Sequence, residues 1–464
     1  MNTFPVESER VSIQSLVPVG DGHQFIVYGD SCSGVPGAAH EATLAKINTA
    51  ISHMSARPEF IAFLGDEIIG LVNDAEALRT QWRHWHQTEM KAISDLGVPL
   101  YNIAGNHTVF SADSEQVFRE MNAHLPQNGP ENQQGLSYFV RHGDLLVVFV
   151  NTMCRGLGGE GHMETEWLAQ VMKSNGDARW KLVAGHHPAF AVNGYSGPYQ
   201  RTIGEEYATR FWDLLVEHEV TAYLCSHILA FDVQVHRGVL QITTGGAGTA
   251  HLSPPDHEYH HFVQACVDTS GFRLQVVDET GLVRERLSWP PLAPDCSHWL
   301  ERPEMSTAKT SGGDWPEFIA FRLRGRLSND DNGEPQTLIA MPSEDGSSMP
   351  LWIGLVGRQR RLTVLLQPVA GRSPHGWHGP CFDADGAFDV QLAVHFRMGP
   401  GGILWRDNDE MPWSSMQNAS SWGCERLDHL DVSRLIFGRG ADAQAPFRGD
   451  GLRVSCYAAS GAES

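Results

Sequence analysis

Short β-rich hydrophobic runs alternate with stretches of helical periodicity from residue 20 to about residue 288. Apolar side chains recur at helical spacing in the stretch that carries Leu44, Ile47 and Ile51, which predicts an amphipathic helix. In a later stretch, Asp74 precedes the periodic residues and predicts a helix N-cap. Strands that alternate with helices predict an α/β layered domain. The predicted strands span residues 24–28, 60–64, 99–103, 145–150, 180–183, 220–224 and 239–243.

The helical period is absent from the last third of the chain. Residues 289–316 are rich in Pro, Ser and Gly without periodicity, so they predict a linker. Beyond it, strand-like runs alternate with clusters of Gly, Asp, Asn and Pro, which predicts an all-β sandwich or jelly roll over residues 317–460. We therefore expect an α/β domain over residues 20–288, then the linker and this β-domain. The predicted strands of the β-domain span 318–327, 337–341, 351–356, 361–367 and 388–398.

The composition of the chain argues against some classes of binding partner. With 41% hydrophobic and 19% charged residues, the 464-residue chain can bury sizeable cores. Its net charge of −21 argues against binding nucleic acid or an anionic membrane, because both require clustered Lys and Arg. The eight Cys are scattered without a CxxC pair, which indicates reduced, intracellular usage. The longest apolar run, near residues 145–150, is too short to span a bilayer, and no leader pattern is evident, so we expect a cytoplasmic protein.

Five short polar motifs each follow a predicted strand of the first domain. Ligand sites in α/β sheets lie at such strand ends. The motifs offer oxygen and nitrogen donors, which suit first-row divalent metals better than an all-thiolate set would. Each motif alone is a common turn, but five in this order predict a metal site. The motifs are Gly29-Asp30, Gly65-Asp66, Gly105-Asn106-His107, Gly185-His186-His187-Pro188 and Ser226-His227.

In this order the motifs resemble those of the calcineurin-like metallophosphoesterase superfamily. The resemblance covers roughly residues 22–285 and extends to the stretches GLSYFVRHGDLLVVFVNT and GVLQITTGGAGTA. It implies two facing mixed sheets flanked by helices, and one or two divalent ions (Mn, Fe or Zn) at the sheet edge. It also implies hydrolysis of a small phosphomonoester or phosphodiester. The closing stretch PFRGDGLRVSCYA resembles laminin-G-like, concanavalin-type domains, which implies a carbohydrate or oligomer contact.

The resemblance also implies a role for each motif residue. Asp66 would bridge two metal ions, and Asp30 would bind one of them or orient water. His107 would not be a ligand, but would contact the phosphate or protonate the leaving group. One ion would be completed by Asn106, His186 and His227.

Two positions depart from the family pattern. The family's D-x-H is Asp30-Ser31-Cys32, and its G-H-x-H is Ser226-His227-Ile228-Leu229. In the family the two missing His bind the same ion, so the chain has either a single-metal centre or a second site remodelled for a softer ion. Cys32 is either a thiolate ligand or a small buried side chain. Two alternative functions stay open: a pseudoenzyme that binds metal as a scaffold, and a mononuclear metal enzyme with redox or lyase chemistry.

Overall fold

A computed structural model describes two compact units of the chain. The first comprises Met1–Ala191, Arg201–Phe231 and Gln241–Glu285, and the second comprises Val192–Gln200, Asp232–Leu240 and Arg286–Ser464. The described residues are 15–194, 201–249, 259–292, 299–300, 316–328, 333–367, 371–383, 386–396, 398–419, 432–440 and 444–460.

Two mixed sheets form the framework of the first unit. One has the strand order β12 (Val283–Trp289), β11 (Gly271–Asp278), β10 (His261–Asp268), β1 (His23–Tyr28), β2 (Phe60–Phe63) and β3 (Leu100–Asn102). The other includes, in order, β4 (Tyr138–His142), β5 (Leu145–Phe149), β6 (Trp180–Ala184), β7 (Ala222–Cys225) and β9 (Val239–Thr244). Strands β1, β2 and β3 run parallel, as do β5, β6 and β7, whereas β10 and β4 pair antiparallel with their neighbours. β8 (Phe231–His236) after its first residue, the start of β9 and the end of β12 belong to the second unit.

Six α-helices accompany these sheets in the described part of the first unit. The predicted helix buries Leu44, Ile47 and Ile51, which confirms its apolar face. The side chain of Asp74 accepts hydrogen bonds from the backbone N–H groups of Glu76 and Ala77 at 2.9 and 3.0 Å, which confirms it as an N-cap. The helices are α1 (Ala39–Ser52), α2 (Ala75–His84), α3 (Lys91–Ser94), α4 (Ala112–Met121), α5 (Thr165–Ser174) and α6 (Glu205–Glu217).

A π-helical turn, Trp85–Glu89, joins α2 to α3. The backbone N–H of Met90 donates to the carbonyl of Trp85 at 2.9 Å, five residues earlier, as a π turn requires. Trp85 and Glu89 begin and end the turn, and both side chains are buried. Sequence periodicity predicts the apolar face of this region but not the π turn.

The polar motifs follow the carboxyl ends of the parallel strands. Asp30, Asp66 and Asn106 follow β1, β2 and β3, and His186 and His227 follow β6 and β7. A hydrogen bond links the two sheets here, because Nδ1 of His186 lies 2.8 Å from the carbonyl oxygen of Leu64. The motifs therefore converge from two sheets on one place.

Strands and short 3₁₀ turns make up the described elements between residues 316 and 460. Two antiparallel sheets share one core, to which Phe321, Ile353 and the fully buried Trp377 contribute. One sheet has the order β20 (Ser414–Ser415), β19 (Ile403–Asp407), β18 (Ala387–His395), β13 (Pro316–Leu327) and β23 (Gly449–Ser460). The other has the order β21 (Gln417–Asn418), β17 (His375–Cys381), β16 (Arg361–Leu366), β15 (Leu351–Val356), β14 (Gln336–Met341) and β22 (Ile436–Phe437).

Across the described ranges, none of the helices combines the length and the apolar character that crossing a bilayer requires.

Candidate metal centre

Four residues of the site have left-handed backbone conformations. The φ angles of Asp30, Cys32, Asp66 and His227 are 61°, 39°, 54° and 67°. Such conformations are uncommon for residues other than glycine, cost about 1–3 kcal/mol each and cluster at functional sites. Backbone hydrogen bonds hold them in place, since the N–H of Cys32 donates to the carbonyl of Asp66 at 2.7 Å. The strain in these loops is therefore concentrated where the motifs meet.

The glycines before two of the motif residues permit close approach of the chain segments. A Cβ atom at Gly65, where φ is 96°, would lie 2.7 Å from Nδ1 of His186. A Cβ atom at Gly105 would collide with the carboxylate of Asp66. Any larger residue at either position would displace a side chain of the site.

Four donor atoms converge at the centre of the site. Nε2 of His186 lies 3.3 Å from Oδ2 of Asp66, 3.1 Å from Oδ1 of Asn106 and 3.1 Å from Nδ1 of His227. The Nδ1 of His186 faces the carbonyl of Leu64, which leaves Nε2 directed into the site. Separations near 3 Å are those expected of ligands that share one ion at roughly 2 Å.

The electrostatics of this cluster call for a cation. Burial alone would lower the pKa of His186, but the negative charges of Asp66 and Asp30 raise it to about 9. Burial opposes ionisation of Asp66, yet His186 holds the pKa of this carboxyl well below its usual range. In the metal-free chain a proton on His186 therefore supplies the positive charge. The oxygen and nitrogen donors fit Mn, Fe or Zn in its place.

Asp30 is fixed against the loop that follows β7. Its Oδ2 accepts hydrogen bonds from the hydroxyl of Ser226 and, at 3.0 Å, from the backbone N–H of His227. One oxygen of Asp30, one of Asp66 and a ring nitrogen of His186 lie within 4.8 Å of one another. Burial and the charge of Asp66 raise the pKa of Asp30 to about 6. Asp30 thus lies beside Asp66 and His186.

Cys32 and His107 form a second group of potential ligands with Asp66. The sulfur of Cys32, an oxygen of Asp66 and a ring nitrogen of His107 lie within 4.8 Å of one another. Burial and the charges of Asp66 and Asp30 raise the pKa of the Cys32 thiol well above its ordinary value. Without a cation, this cysteine is a neutral thiol. The structure therefore brings the side chains of the motif residues close together: Asp30, Cys32, Asp66, Asn106, His107, His186 and His227.

The imidazole of His107 presents one nitrogen to the site. Its Nδ1 lies 2.7 Å from the carbonyl of Ile69, to which it donates, and its side chain is 29% exposed. The backbone N–H of His107 donates to Oδ1 of Asp66 at 2.9 Å. Its Nε2 lies 4.0 Å from Oδ2 of Asp66 and is the ring atom left to meet a substrate.

Glu89 anchors the loop that carries Cys32. Its Oε1 accepts hydrogen bonds from the hydroxyl of Ser33 at 2.6 Å and the backbone N–H of Gly34 at 3.0 Å. Because Glu89 lies in the π turn, the position of this loop depends on a helix that is remote in sequence. Sequence reasoning misses this contact, since no motif marks Glu89.

Glu67 is a second residue that sequence reasoning misses. Its carboxyl is buried, Oε1 accepts from the side-chain amide of Asn102 at 2.9 Å, and within the described residues Oε2 has no hydrogen-bond partner. Burial raises its pKa to about 8, so this group is a neutral acid at neutral pH. The one sequence signal is its place directly after Asp66.

His187 lies beside His186 and His227, and one ring nitrogen of each lies within 4.8 Å of the others. Its ring is fully buried, its centroid is 4.5 Å from that of His227, and its Nδ1 is 2.8 Å from Oγ1 of Thr152. Its Nε2 is 3.5 Å from Oε1 of Glu160. Burial lowers the pKa of His187 to about 4, so the imidazole is neutral and supports His227 by packing.

Part of the chain matches a known protein family. Residues 19–231 match the family model of the calcineurin-like phosphoesterases. Among solved structures, the chain is similar to GAP50, the anchor in the inner membrane complex of Plasmodium, with 15% identity, a TM-score of 0.40 and coverage of 57% of this chain and 88% of that one. It is also similar to purple acid phosphatase PPD1 from yellow lupin seeds, with 14% identity, a TM-score of 0.43 and coverage of 60% of this chain and 54% of that one.

No curated protein matches the chain in sequence. The family match spans both Gly-Asp motifs, the Gly-Asn-His motif, the paired histidines and His227. Residues 19–231 therefore form a calcineurin-like phosphoesterase domain, which confirms the predicted metallophosphoesterase superfamily for this part of the chain.

Proposed function

We propose that the protein is a metal-dependent hydrolase of a small phosphomonoester or phosphodiester. The observation that carries the proposal is the convergence of Asp66, Asn106 and His227 on Nε2 of His186, at 3.1–3.3 Å. These four residues would hold one divalent ion, Mn, Fe or Zn. When bound, such an ion polarises a phosphoryl oxygen and lowers the pKa of water.

His107 and Asp30 are the proposed catalytic side chains. Because Nδ1 of His107 donates to Ile69, Nε2 is the atom that would contact the phosphoryl group or give a proton to the leaving oxygen. Asp30 is held by Ser226 and His227, so its carboxylate would orient water or help to bind a second ion. The roles are those implied by the family, and the hydrogen bonds of both side chains support them.

The second ion would have an unusual set of ligands. Asp30 and Asp66 would provide carboxylate oxygens, and Cys32 would provide a thiolate in place of the family's imidazole. Leu229 stands at the other missing histidine and has no donor atom. A thiolate favours Zn or Fe over Mn. The proximity of Cys32 to Asp66 supports this assignment.

A metal-binding pseudoenzyme is the second candidate function. The observation that favours it is the hydrocarbon side chain of Leu229, which leaves the second ion short of one ligand. In that case the first ion would stabilise a scaffold and no ester would turn over. For the β-domain we propose a jelly-roll of the laminin-G or concanavalin type with a carbohydrate or oligomer contact. Its two sheets and shared core support that fold.

We also propose that the first domain spans residues 20–288 and the β-domain 317–460, and that the protein acts in the cytoplasm. The partner would be a small phosphorylated molecule, with no nucleic acid and no membrane, as the net charge of −21 supports.

Turnover tests the proposed function directly. The purified chain is analysed for bound metals and is then assayed with an aryl phosphate and a bis-aryl phosphate after loading with Mn, Fe or Zn. We expect hydrolysis of at least one ester and none after chelation. A folded, metal-loaded chain that hydrolyses neither ester would favour the scaffold instead.

A further inference from the structure

Arg201 lies next to the metal centre, to which Glu160 connects it. The Nη1 atom of Arg201 is 3.1 Å from Oε1 and 3.2 Å from Oε2 of Glu160. The same Oε1 is 3.5 Å from Nε2 of the buried His187, whose ring packs on that of His227. Glu160 and His187 therefore link this guanidinium to His227, a proposed metal ligand.

Arg201 keeps donor groups available to a ligand. The side chain of Arg201 is 53% exposed, so solutes have access to it. Among the described residues its guanidinium is bonded to Glu160 alone, through Nη1. The Nε and Nη2 groups are therefore available to bind a ligand.

The ion pair between Arg201 and Glu160 differs from an ordinary surface ion pair. Glu160 contacts a fully buried imidazole as well as Arg201, and within the described ranges the Nε2 atom of that imidazole has no hydrogen-bond partner. The carboxylate thus links the buried His187 to the exposed Arg201. Arg201 is bound to it through one nitrogen, so Glu160 restrains the guanidinium while the other donors stay available.

A cationic side chain beside the proposed metal ion would favour phosphate binding in this acidic protein. The net charge of the chain is −21, and the site itself contains the carboxylates of Asp30 and Asp66. A phosphomonoester carries about −1.5 to −2 charges at neutral pH, whereas a phosphodiester carries one. A planar guanidinium with two free N–H groups matches two oxygens of a phosphoryl group.

We propose that Arg201, positioned by Glu160, binds the phosphoryl group of the substrate and selects phosphomonoesters over phosphodiesters. This inference rests on the proposed function and narrows its substrate class. A monoester has three terminal oxygens, so two can meet the Arg201 fork while one remains for the centre. A diester has only two terminal oxygens. It cannot give two of them to the Arg201 fork and a third to the metal centre.

Binding of inorganic phosphate tests the inference without turnover. Orthophosphate is titrated calorimetrically into the full, metal-loaded chain. We expect Arg201→Gln to raise Kd about tenfold, and Arg201→Lys, which keeps the charge but loses the fork, to raise it about threefold. Arg210→Gln is the matched control, because Arg210 pairs with Glu166 at 3.2 Å and is 59% exposed. It should bind phosphate as the parent chain does.

Kinetics then test the selection. Arg201→Gln should raise KM for an aryl phosphate about tenfold and for a bis-aryl phosphate less than threefold, so the preference for the monoester falls. Equal effects on both esters would overturn the selection. Unchanged phosphate affinity in Arg201→Gln, or a parent chain that binds no phosphate, would overturn the binding role.

The same data separate this inference from the proposed function. If the chain binds phosphate through Arg201 but hydrolyses no ester, the hydrolase proposal fails and the binding role stands. If esters turn over while Arg201→Gln behaves as the parent does, the inference fails alone.

Discussion

Nε2 of His186 lies 3.3 Å from Oδ2 of Asp66, and both side chains are buried. Burial would lower the pKa of His186, but Asp66 raises it to about 9. The metal-free chain therefore holds a proton at the position where a cation would bind. Metal binding must displace that proton, so it depends on pH.

Metal affinity should increase with pH. Between pH 7 and about pH 9 one proton leaves His186, so the apparent affinity should rise about tenfold per pH unit. Below about pH 6 Asp30 is also protonated, which should weaken binding of the second ion. Competition with a chromophoric chelator at several pH values measures this slope. An affinity that stays constant between pH 7 and pH 9 would contradict it.

The stability of the metal-free chain should decrease as pH rises. A pKa raised from 6.5 to about 9 means that His186 stabilises the fold fully below pH 6.5. This contribution is lost as pH rises through 9. Thermal unfolding of the chelator-treated chain should therefore show a falling Tm over this range, and saturating metal should remove the effect.

Asn106→Ala should remove the first ion. Its Oδ1 is one of the four converging donors, and its loss should weaken metal binding by at least about 100-fold. Ester hydrolysis should disappear with the metal. Asn128→Ala, at an exposed asparagine of the same unit, is the control and should change neither. If the variant lost metal but kept full hydrolysis, the proposed centre would be wrong.

Cys32→Ser should change the spectrum of the cobalt-loaded chain. A thiolate bound to Co²⁺ gives a charge-transfer absorption that oxygen and nitrogen ligands do not give. We expect this band in the parent chain and in Cys266→Ser, where the replaced thiol is buried in β10. It should be absent in Cys32→Ser. A parent spectrum without the band would show that Cys32 fills space and binds no ion.

The double change Cys32→His and Leu229→His should add one ion. It restores two imidazoles where the family has them, so metal analysis should give a second equivalent per chain. If the native site is a depleted one, hydrolysis should also increase. If the parent is already active and the double variant is slower, the native ligand set is specialised for its own chemistry.

Much of the first unit could be predicted from the sequence because its signals are local. The parallel strands are nearly continuous apolar runs, and their ends carry the motif residues. The observed bounds differ from the predicted ones by one residue in β1 and β2 and by up to two in β7. Asp66 and His186 are far apart in sequence. Only the order of the motifs along the chain predicted that such residues share a site.

Contacts that depend on tertiary packing could not be predicted. Glu67, Glu89 and Glu160 belong to no motif, and each acts on the site through a partner distant in sequence. The π turn is similarly hidden, because its apolar residues have the spacing of an ordinary helix. The role of Cys32 also stays a prediction, since a thiol beside Asp66 is compatible with ligation and with packing.

The π turn Trp85–Glu89 has a consequence for insertions and deletions. One residue is about 100° of helix rotation, so removing a single residue before Glu89 would turn its carboxylate away from Ser33 and Gly34. The loop bearing Cys32 would lose its anchor, although no motif residue had changed. Shortening this remote helix by one residue would therefore damage the centre as much as a substitution within it, whereas lengthening an exposed loop would not.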